Sequence, residues 1–164
     1  GDRRLGRVTL GDVRPFVDEA VELGVRQFSF TGGEPFVNRD LVRILAYALD
    51  HAPCLVLSNG VDVVTQRLAQ IEPLRAAAHP LAFRISIDHP DEALHDAGRG
   101  AGNFAKAWTA LRELHARGFK VSIARQMAPE EDRAAVEAAY RDLLRGHGIR
   151  EDLTLVAFPD FGAP

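Results

Sequence analysis

The sequence predicts an α/β fold in which parallel strands form an open or partial barrel. Helical and strand-like segments alternate along the chain, an order typical of parallel sheets with right-handed crossovers. The predicted strands also alternate apolar and polar residues, whereas strands that are covered on both faces are usually apolar throughout. We therefore expect one face of the sheet to pack against helices and the other to be hydrated or to hold a ligand.

Apolar residues that recur at the spacing of one helical face predict five helices. Gly24 is expected to end the first helix, Asn38 to cap the second, and Pro73 to interrupt the third. The apolar stripe of the first helix consists of Val13, Phe16, Val17, Ala20 and Val21. The helices cover residues 13–21, 41–49, 63–77, 103–117 and 130–145, and the strands that follow them cover residues 25–31, 55–58, 83–88, 119–125 and 153–158.

The third predicted strand displays the alternation of faces most clearly. Its residues Phe83, Ile85 and Ile87 alternate with Arg84, Ser86 and Asp88, and residues 27–30 and 119–123 follow the same pattern. A closed barrel with a packed interior would not suit so many inward polar groups. An open barrel with a polar inner face would, and an exposed sheet edge would explain only one such strand.

Composition limits the class of function. The chain has 164 residues, 46% of them apolar, which suits a single domain over residues 1–164. The formal charge of −3 and the lack of a Lys/Arg run give no electrostatic basis for binding nucleic acid or an anionic membrane. No apolar stretch is long enough to span a bilayer. The single cysteine, Cys54, excludes an internal disulfide framework and suits the reducing cytoplasm.

The segment Thr31-Gly32-Gly33-Glu34-Pro35 follows the first predicted strand. Paired glycines at a strand end allow a ligand to approach bare backbone N–H and C=O groups. Glu34 adds a negative charge suited to an ammonium group, and Pro35 fixes the exit of the turn. A βα turn without any ligand remains the alternative interpretation.

Three motifs follow three successive strands: residues 31–35 (Thr-Gly-Gly-Glu-Pro), residues 58–60 (Ser-Asn-Gly), and residues 85–100, which contain Ile-Ser-Ile-Asp, His-Asp and Arg-Gly. In this order they resemble the core of radical S-adenosylmethionine (radical SAM) enzymes. Residues 86–104 resemble the branch that modifies peptides and proteins, the SPASM-type maturases. The resemblance covers nearly the whole chain and implies a partial (βα)6-type, TIM-like barrel.

The resemblance also implies which residues bind S-adenosylmethionine. Glu34 and the carbonyl groups around Gly32 and Gly33 would receive its ammonium group, with Pro35 shaping the turn. Asn59 would lie at the pocket rim. The alternative is that the Ser-Asn-Gly segment only forms a turn, since this sequence favours a turn whatever the function.

On the third strand, Ser86 and Asp88 would reach the ribose hydroxyls or the carboxylate, and Arg99 would pair with the carboxylate. Val121 or Ile123, and the backbone near Val156, are implied on the adenine side. As alternatives, Asp88 would only cap a turn, and Arg99 would be a solvated loop residue.

In such enzymes a [4Fe–4S] cluster donates an electron, and a 5′-deoxyadenosyl radical then abstracts hydrogen from the substrate. The family's C-x3-C-x2-C cluster loop is absent from this chain, and Cys54 alone cannot hold a cluster. We expect the loop and the first strand upstream of residue 1, within roughly forty residues, so that this piece alone is inactive. His89 also replaces the glycine that is usual in the family.

The resemblance implies a peptide or small-metabolite substrate and an electron donor such as a flavodoxin or ferredoxin. A degenerate, cluster-free barrel that binds a peptide or a protein is the second hypothesis. A metal- or phosphate-dependent hydrolase or aldolase is the third, although Lys120 is the only lysine in a predicted strand. A metal site at His89, Glu92 and His95 is a further alternative.

Overall fold

The computed structural model describes residues 8–159. Its five strands form one parallel sheet in the order β1-β2-β3-β4-β5. The strands are β1 (Phe28–Phe30), β2 (Cys54–Ser58), β3 (Leu81–Ser86), β4 (Lys120–Met127) and β5 (Thr154–Pro159). Because each strand lies beside the preceding one, the sheet has the strand order of a barrel segment rather than that of a doubly wound sheet. The predicted α/β class with parallel strands is confirmed.

Helices connect the strands. They are α1 (Leu10–Glu22), α2 (Leu41–Leu49), α3 (Asp62–Gln66), α4 (Leu68–Ile71), α5 (Glu92–Arg99), α6 (Asn103–Ala116) and α7 (Arg133–Gly146), with 3-10 turns at Pro35–Val37 and Glu72–Ala76. No helix within residues 8–159 is both long and apolar enough to cross a membrane.

The two faces of the sheet differ as predicted. On β3, Leu81, Phe83 and Ile85 are buried, whereas Ala82, Arg84 and Ser86 are only half-buried. The apolar face packs against the helices, with Phe36, Trp108, Leu111 and Tyr140 among the fully buried side chains. Cys54 is buried at the start of β2, and Phe104 packs against this core. The inner face therefore keeps its polar groups accessible near the strand ends.

The first strand is shorter than predicted, because Val25 lies in the turn that closes α1 after its last residue, Glu22. Gly24 adopts φ +80°, and the N–H of Val25 donates to the carbonyl of Ala20 at 2.9 Å. This six-to-one hydrogen bond is the Schellman closure of a helix. The predicted C-terminal glycine is thus correct, and the strand begins only at Phe28.

Further predictions needed correction. Asn38 does not cap α2, because the N-cap residue is Asp40, whose N–H donates to Asn38 Oδ1 at 3.0 Å. Of the apolar stripe of α1, only Val17 is buried, and Phe16 is 72% exposed. The interruption predicted at Pro73 is confirmed, because Pro73 lies in the 3-10 turn that follows α4, but the segment before it is also divided at Arg67 into α3 and α4. A proline lacks the N–H that a continuous helix requires.

Candidate functional site

The predicted site residues follow the carboxyl ends of β1, β2 and β3. Gly32, Gly33 and Glu34 come after β1, Asn59 directly follows β2, and Asp88 lies two residues beyond β3. Because the three strands are parallel and adjacent, these segments meet at one edge of the sheet, where ligands bind in α/β barrels.

The carboxylate of Glu34 joins the first two of these segments. It accepts hydrogen bonds from the Phe36 N–H at 3.2 Å, from the Ser58 hydroxyl at 2.9 and 3.0 Å, and from the Asn59 N–H at 2.8 Å. Pro35 is the first residue of the 3-10 turn that Glu34 caps. Glu34 is thus engaged by donors of its own chain, and its direct contact with an ammonium group stays a prediction.

Gly32 and Gly33 leave the backbone open beside Glu34. Both are exposed, and a Cβ atom at either position would meet nothing within 4 Å. Gly32 adopts φ +146°, a conformation that glycine tolerates better than other residues. The carbonyl of Gly33 accepts a hydrogen bond from Asn59 Nδ2 at 2.6 Å. A ligand can therefore approach this backbone without a side chain in the way.

Arg99 connects Asn59 to Asp88. Its Nη1 donates to Asn59 Oδ1 at 2.5 Å, and its Nη2 donates to Asp88 Oδ1 at 2.9 Å, while its Nε donates to Asp88 Oδ2. The paired contact with the carboxylate is the fork geometry that fixes both groups. Two of the five guanidinium N–H donors make no hydrogen bond within residues 8–159.

A cavity of about 350 Å³ opens beside this network. Asn59, Asp88 and Arg99 line it, together with Gly98, Val61, Asn103 and Gln126. Its volume lies in the range of small-molecule sites, and its walls carry both signs of charge. The structure thus brings three of the predicted residues to one cavity and links Gly33 and Glu34 to it through Asn59.

Ser86 is half-buried at the end of β3 and makes no hydrogen bond to this network in the described part of the chain. The adenine-side residue Ile123 is fully buried in the core, and Val121 packs against the core from the same face of β4. A side chain on that face cannot reach the inner face of the sheet, so these two assignments are wrong. Val156, whose neighbouring backbone was also implied on the adenine side, lies on β5 and pairs with Ala124 of β4.

Sequence reasoning missed two side chains that support the site. Ser58 is 2% exposed and binds the Glu34 carboxylate. His95 is 1% exposed, and its Nδ1 accepts the Asp88 N–H at 3.1 Å. Both residues lie within motifs noted in the sequence. Their partners are 24 and 7 residues away, so no local pattern could identify the contacts.

Burial and hydrogen bonding shift the pKa of groups around the site. Burial lowers the pKa of His95, with Arg99 acting in the same direction and Asp88 and Asp96 opposing it. Backbone N–H groups, first that of Phe104, lower the pKa of Asp96. His95 is therefore neutral at neutral pH, and Asp96 is ionised.

The structure gives no support to a metal site at His89, Glu92 and His95. The Nδ1 atoms of the two histidines accept backbone N–H groups, from Asp91 at 2.9 Å and from Asp88 at 3.1 Å. Across residues 8–159, no three His, Cys, Asp or Glu side chains are grouped to hold a metal ion.

The sheet and the strand-end residues define a parallel α/β barrel protein with a polar cavity at the carboxyl edge. Residues 2–143 match the sequence profile of the Radical SAM superfamily. The chain belongs to that superfamily.

Several characterised proteins are similar to this chain. It is 32% identical over 152 residues to the mycofactocin maturase MftC of Mycobacterium ulcerans, covering 88% of this chain and 40% of the maturase. It is 30% identical over 119 residues to the AdoMet-dependent heme synthase of Nitratidesulfovibrio vulgaris, covering 72% of this chain and 32% of the synthase. It is 30% identical over 122 residues to AlbA, the subtilosin biosynthesis protein of Bacillus subtilis, covering 73% of this chain and 27% of AlbA. The chain thus spans two fifths or less of these curated relatives.

The fold is also that of a solved structure. SuiB of Streptococcus suis, crystallised with S-adenosylmethionine, superposes with a TM-score of 0.69 over 96% of this chain and 35% of SuiB, at 14% sequence identity. The partial barrel predicted from the sequence is confirmed by this likeness.

The superfamily uses S-adenosylmethionine with a [4Fe–4S] cluster. The residues of this chain suit the first of these groups but not the second. Open glycine backbone, an arginine with spare donors and a polar cavity suit the amino-acid end of S-adenosylmethionine. The single cysteine of the sequence, Cys54, does not suit an iron cluster. It is buried at the start of β2, where burial raises the pKa of its thiol to about 12, and one cysteine cannot supply the several thiolates that a cluster requires.

Proposed function

We propose that this chain is the S-adenosylmethionine-binding part of a radical SAM enzyme that modifies a peptide. The observation that carries the proposal is the hydrogen-bonded series from Gly33 through Asn59 and Arg99 to Asp88. It joins three strand ends around one cavity, as a ligand that spans the edge of the sheet would require.

Each part of the site has a role in binding. The exposed carbonyl groups of Gly32 and Gly33 would accept the ammonium group, and Glu34 would hold their loop against the end of β2. The two free donors of Arg99 would bind the carboxylate, since its other three contact Asp88 and Asn59.

The ribose would lie near Asp88 and Ser86 on the inner face of β3. Asp88 keeps lone pairs beyond those that Arg99 uses, and the Ser86 hydroxyl makes no bond within the described residues. Asn59 would form the rim between the two ends of the ligand, because both of its amide atoms are already fixed. The protein would thus bind and orient the ligand and exclude water.

When bound together, S-adenosylmethionine and the cluster supply a carbon radical that removes a hydrogen atom from the substrate. The cluster would need cysteines other than Cys54, since one buried cysteine cannot hold it. A flavodoxin or ferredoxin would supply the electron. A single buried thiol also suits a cytoplasmic protein.

A peptide substrate is favoured by the relatives that are named as a maturase and as a bacteriocin biosynthesis protein. A small-metabolite substrate is the alternative, because another relative is named as a heme synthase. The buried cysteine favours a second candidate function, a cluster-free barrel that binds a peptide or a protein without radical chemistry.

The test is to reconstitute the full-length protein with iron and sulfide without oxygen, and to measure both elements together with the release of 5′-deoxyadenosine from S-adenosylmethionine. About four irons per protein, or more if it holds further clusters, with 5′-deoxyadenosine formed under reduction, would support the proposal. A protein that takes up no iron and leaves S-adenosylmethionine intact would favour the binding module.

A further inference from the structure

Helix α5 buries one side chain, and that side chain is polar. His95 is 1% exposed and is the buried residue of this eight-residue helix. Taking an imidazole out of water costs free energy unless it is hydrogen-bonded. Its bond to the backbone N–H of Asp88, at 3.1 Å, therefore indicates what this buried side chain holds in place.

The ring of His95 is fixed in orientation. Because Nδ1 accepts the Asp88 N–H, the proton of the neutral ring is assigned to Nε2, which has no hydrogen-bond partner within residues 8–159. The ring packs edge-on against Phe104, with centroids 5.6 Å apart. The carboxylate of Asp96 accepts the Phe104 N–H at 2.8 Å and the Gly102 N–H at 2.5 Å. The start of α6 is thus tied to α5, and the imidazole is held between Phe104 and Asp88.

Helix α5 contacts Asp88 at two points, one helical turn apart. His95 and Arg99 are four residues apart and so share a helix face. His95 binds the backbone N–H of Asp88, whereas Arg99 binds its carboxylate. The carbonyl of Asp88 accepts the Gln126 N–H at 3.2 Å. With these contacts made, the Asp88 backbone cannot turn without breaking a hydrogen bond.

We propose that His95 is a positioning residue that fixes the backbone of Asp88 and thereby the Asp88–Arg99–Asn59 arrangement that lines the ligand cavity. The consequence for S-adenosylmethionine rests on the proposed function. The consequence for the geometry of Asp88 and Arg99 does not, since it concerns contacts within the chain.

Two amide substitutions separate positioning from packing, because neither keeps the ring that packs against Phe104. In His95→Asn the side-chain oxygen lies as many bonds from Cα as Nδ1 does, so it can accept the Asp88 N–H. In His95→Gln the amide lies one bond further out and reproduces the Nε2 position instead. Asn and Gln are both polar and neutral. If His95 acted only by packing, His95→Asn would therefore not retain the wild-type properties better than His95→Gln.

The experiment measures two properties of the wild-type protein, His95→Asn and His95→Gln. The first is the 1H–15N NMR signal of the Arg99 Nε–H group in arginine-labelled protein, assigned by its loss in Arg99→Lys. The second is the affinity for S-adenosylhomocysteine by titration calorimetry. Thermal unfolding of each variant identifies any that fails to fold. Arg99→Lys shows the result expected when the hydrogen-bonded pair of Arg99 and Asp88 is lost.

We expect His95→Asn to keep the Arg99 Nε–H signal at its wild-type shift and the affinity within about threefold. We expect His95→Gln to shift or broaden that signal and to weaken binding about tenfold, the loss from one misplaced charge-assisted contact. Folded variants that both retain the wild-type signal, or both lose it equally, would overturn the role of His95. If wild type binds no S-adenosylhomocysteine, the proposed function fails, and the NMR signal still decides the role of His95.

Discussion

Glu34 is the residue for which the structure adds most to the interpretation of the sequence. Its charge suggested a direct contact with a ligand, which stays a prediction, and its carboxylate accepts hydrogen bonds from Phe36, Ser58 and Asn59. Each of these donors would otherwise need another partner, and Ser58 is 2% exposed. The acid therefore serves to join the loop after β1 to the end of β2.

Replacing Glu34 with alanine should destabilise the fold. The substitution leaves the Ser58 hydroxyl and the Asn59 N–H without their acceptor, and an unpaired buried donor costs about 1–3 kcal/mol. Urea unfolding followed by circular dichroism measures the change in free energy of unfolding. Glu130→Ala is the control, because Glu130 is exposed in the loop before α7. Equal stability of the two variants would contradict the structural role of Glu34.

The buried His95 and the half-buried His147 should make stability depend on pH. Burial lowers the pKa of both His95 and His147 below the ordinary value of 6.5. The unfolded chain then binds protons that the folded chain does not, so this stability is present above pH 6.5 and is lost as the pH falls through that value. We expect the free energy of unfolding to decrease between about pH 7.5 and about pH 5.5.

The measurement is urea unfolding at several pH values across that window. The charged groups that face His95 are Asp88, Asp96 and Arg99. His95→Asn should reduce the slope of stability against pH. A slope unchanged in both His95→Asn and His147→Asn would show that other groups cause it.

At the scale of elements, helix α7 holds the end of β3 through one hydroxyl. Tyr140 is fully buried, and its hydroxyl donates to the carbonyl of Ile87 at 2.7 Å. Ile87 directly precedes Asp88, so this contact and that of His95 hold adjoining backbone groups. The site is therefore supported by α5 from one side and by α7 from the other.

Tyr140→Phe should lower the free energy of unfolding by about 1–3 kcal/mol, because it leaves the buried Ile87 carbonyl without that donor. Tyr47→Phe is a matched control, since Tyr47 is the only other tyrosine and its hydroxyl bonds Asp18 at the surface. We expect the control to change stability by less than about 0.5 kcal/mol. Equal effects of the two substitutions in chemical denaturation would refute the distinction.

Gly60 allows helix α6 to approach the loop after β2. It adopts φ +70°, and a Cβ atom there would lie 2.8 Å from the Ala107 Cα atom and 2.8 Å from Ile85 Cγ2. Gly148 adopts a similar φ of +68° but has nothing within 4 Å of a Cβ atom. Comparing substitutions at Gly60 and Gly148 therefore separates the effect of steric contact from that of backbone strain.

Gly60→Ala should therefore destabilise the protein by about 1–3 kcal/mol more than Gly148→Ala, since only the former adds overpacking to the cost of a positive φ. Thermal and urea unfolding of both variants measure the difference. If Gly60→Ala is no less stable than Gly148→Ala, the close approach of α6 is not a constraint.

At the scale of the whole molecule, the sequence predicted the sheet and the edge that carries the site. Turn residues such as Gly32, Asn59 and Gly60 mark the strand ends, and alternation on β3 identified its polar face. Helix α5 was not predicted as a continuous helix, because its one buried residue is a histidine and it has no apolar stripe. The partners of Glu34 and Asp88 depend on tertiary contacts, which local patterns do not encode.

The most direct test of the account is the affinity of the full-length, reconstituted protein for S-adenosylmethionine, measured by calorimetry for wild type, Arg99→Lys and Arg133→Lys. A lysine cannot bind Asp88, Asn59 and a ligand carboxylate together, so Arg99→Lys should weaken binding about tenfold or more. Arg133 is exposed at the start of α7, and its variant should bind as wild type does. An Arg99→Lys protein that is folded and binds S-adenosylmethionine with wild-type affinity would contradict the proposed site.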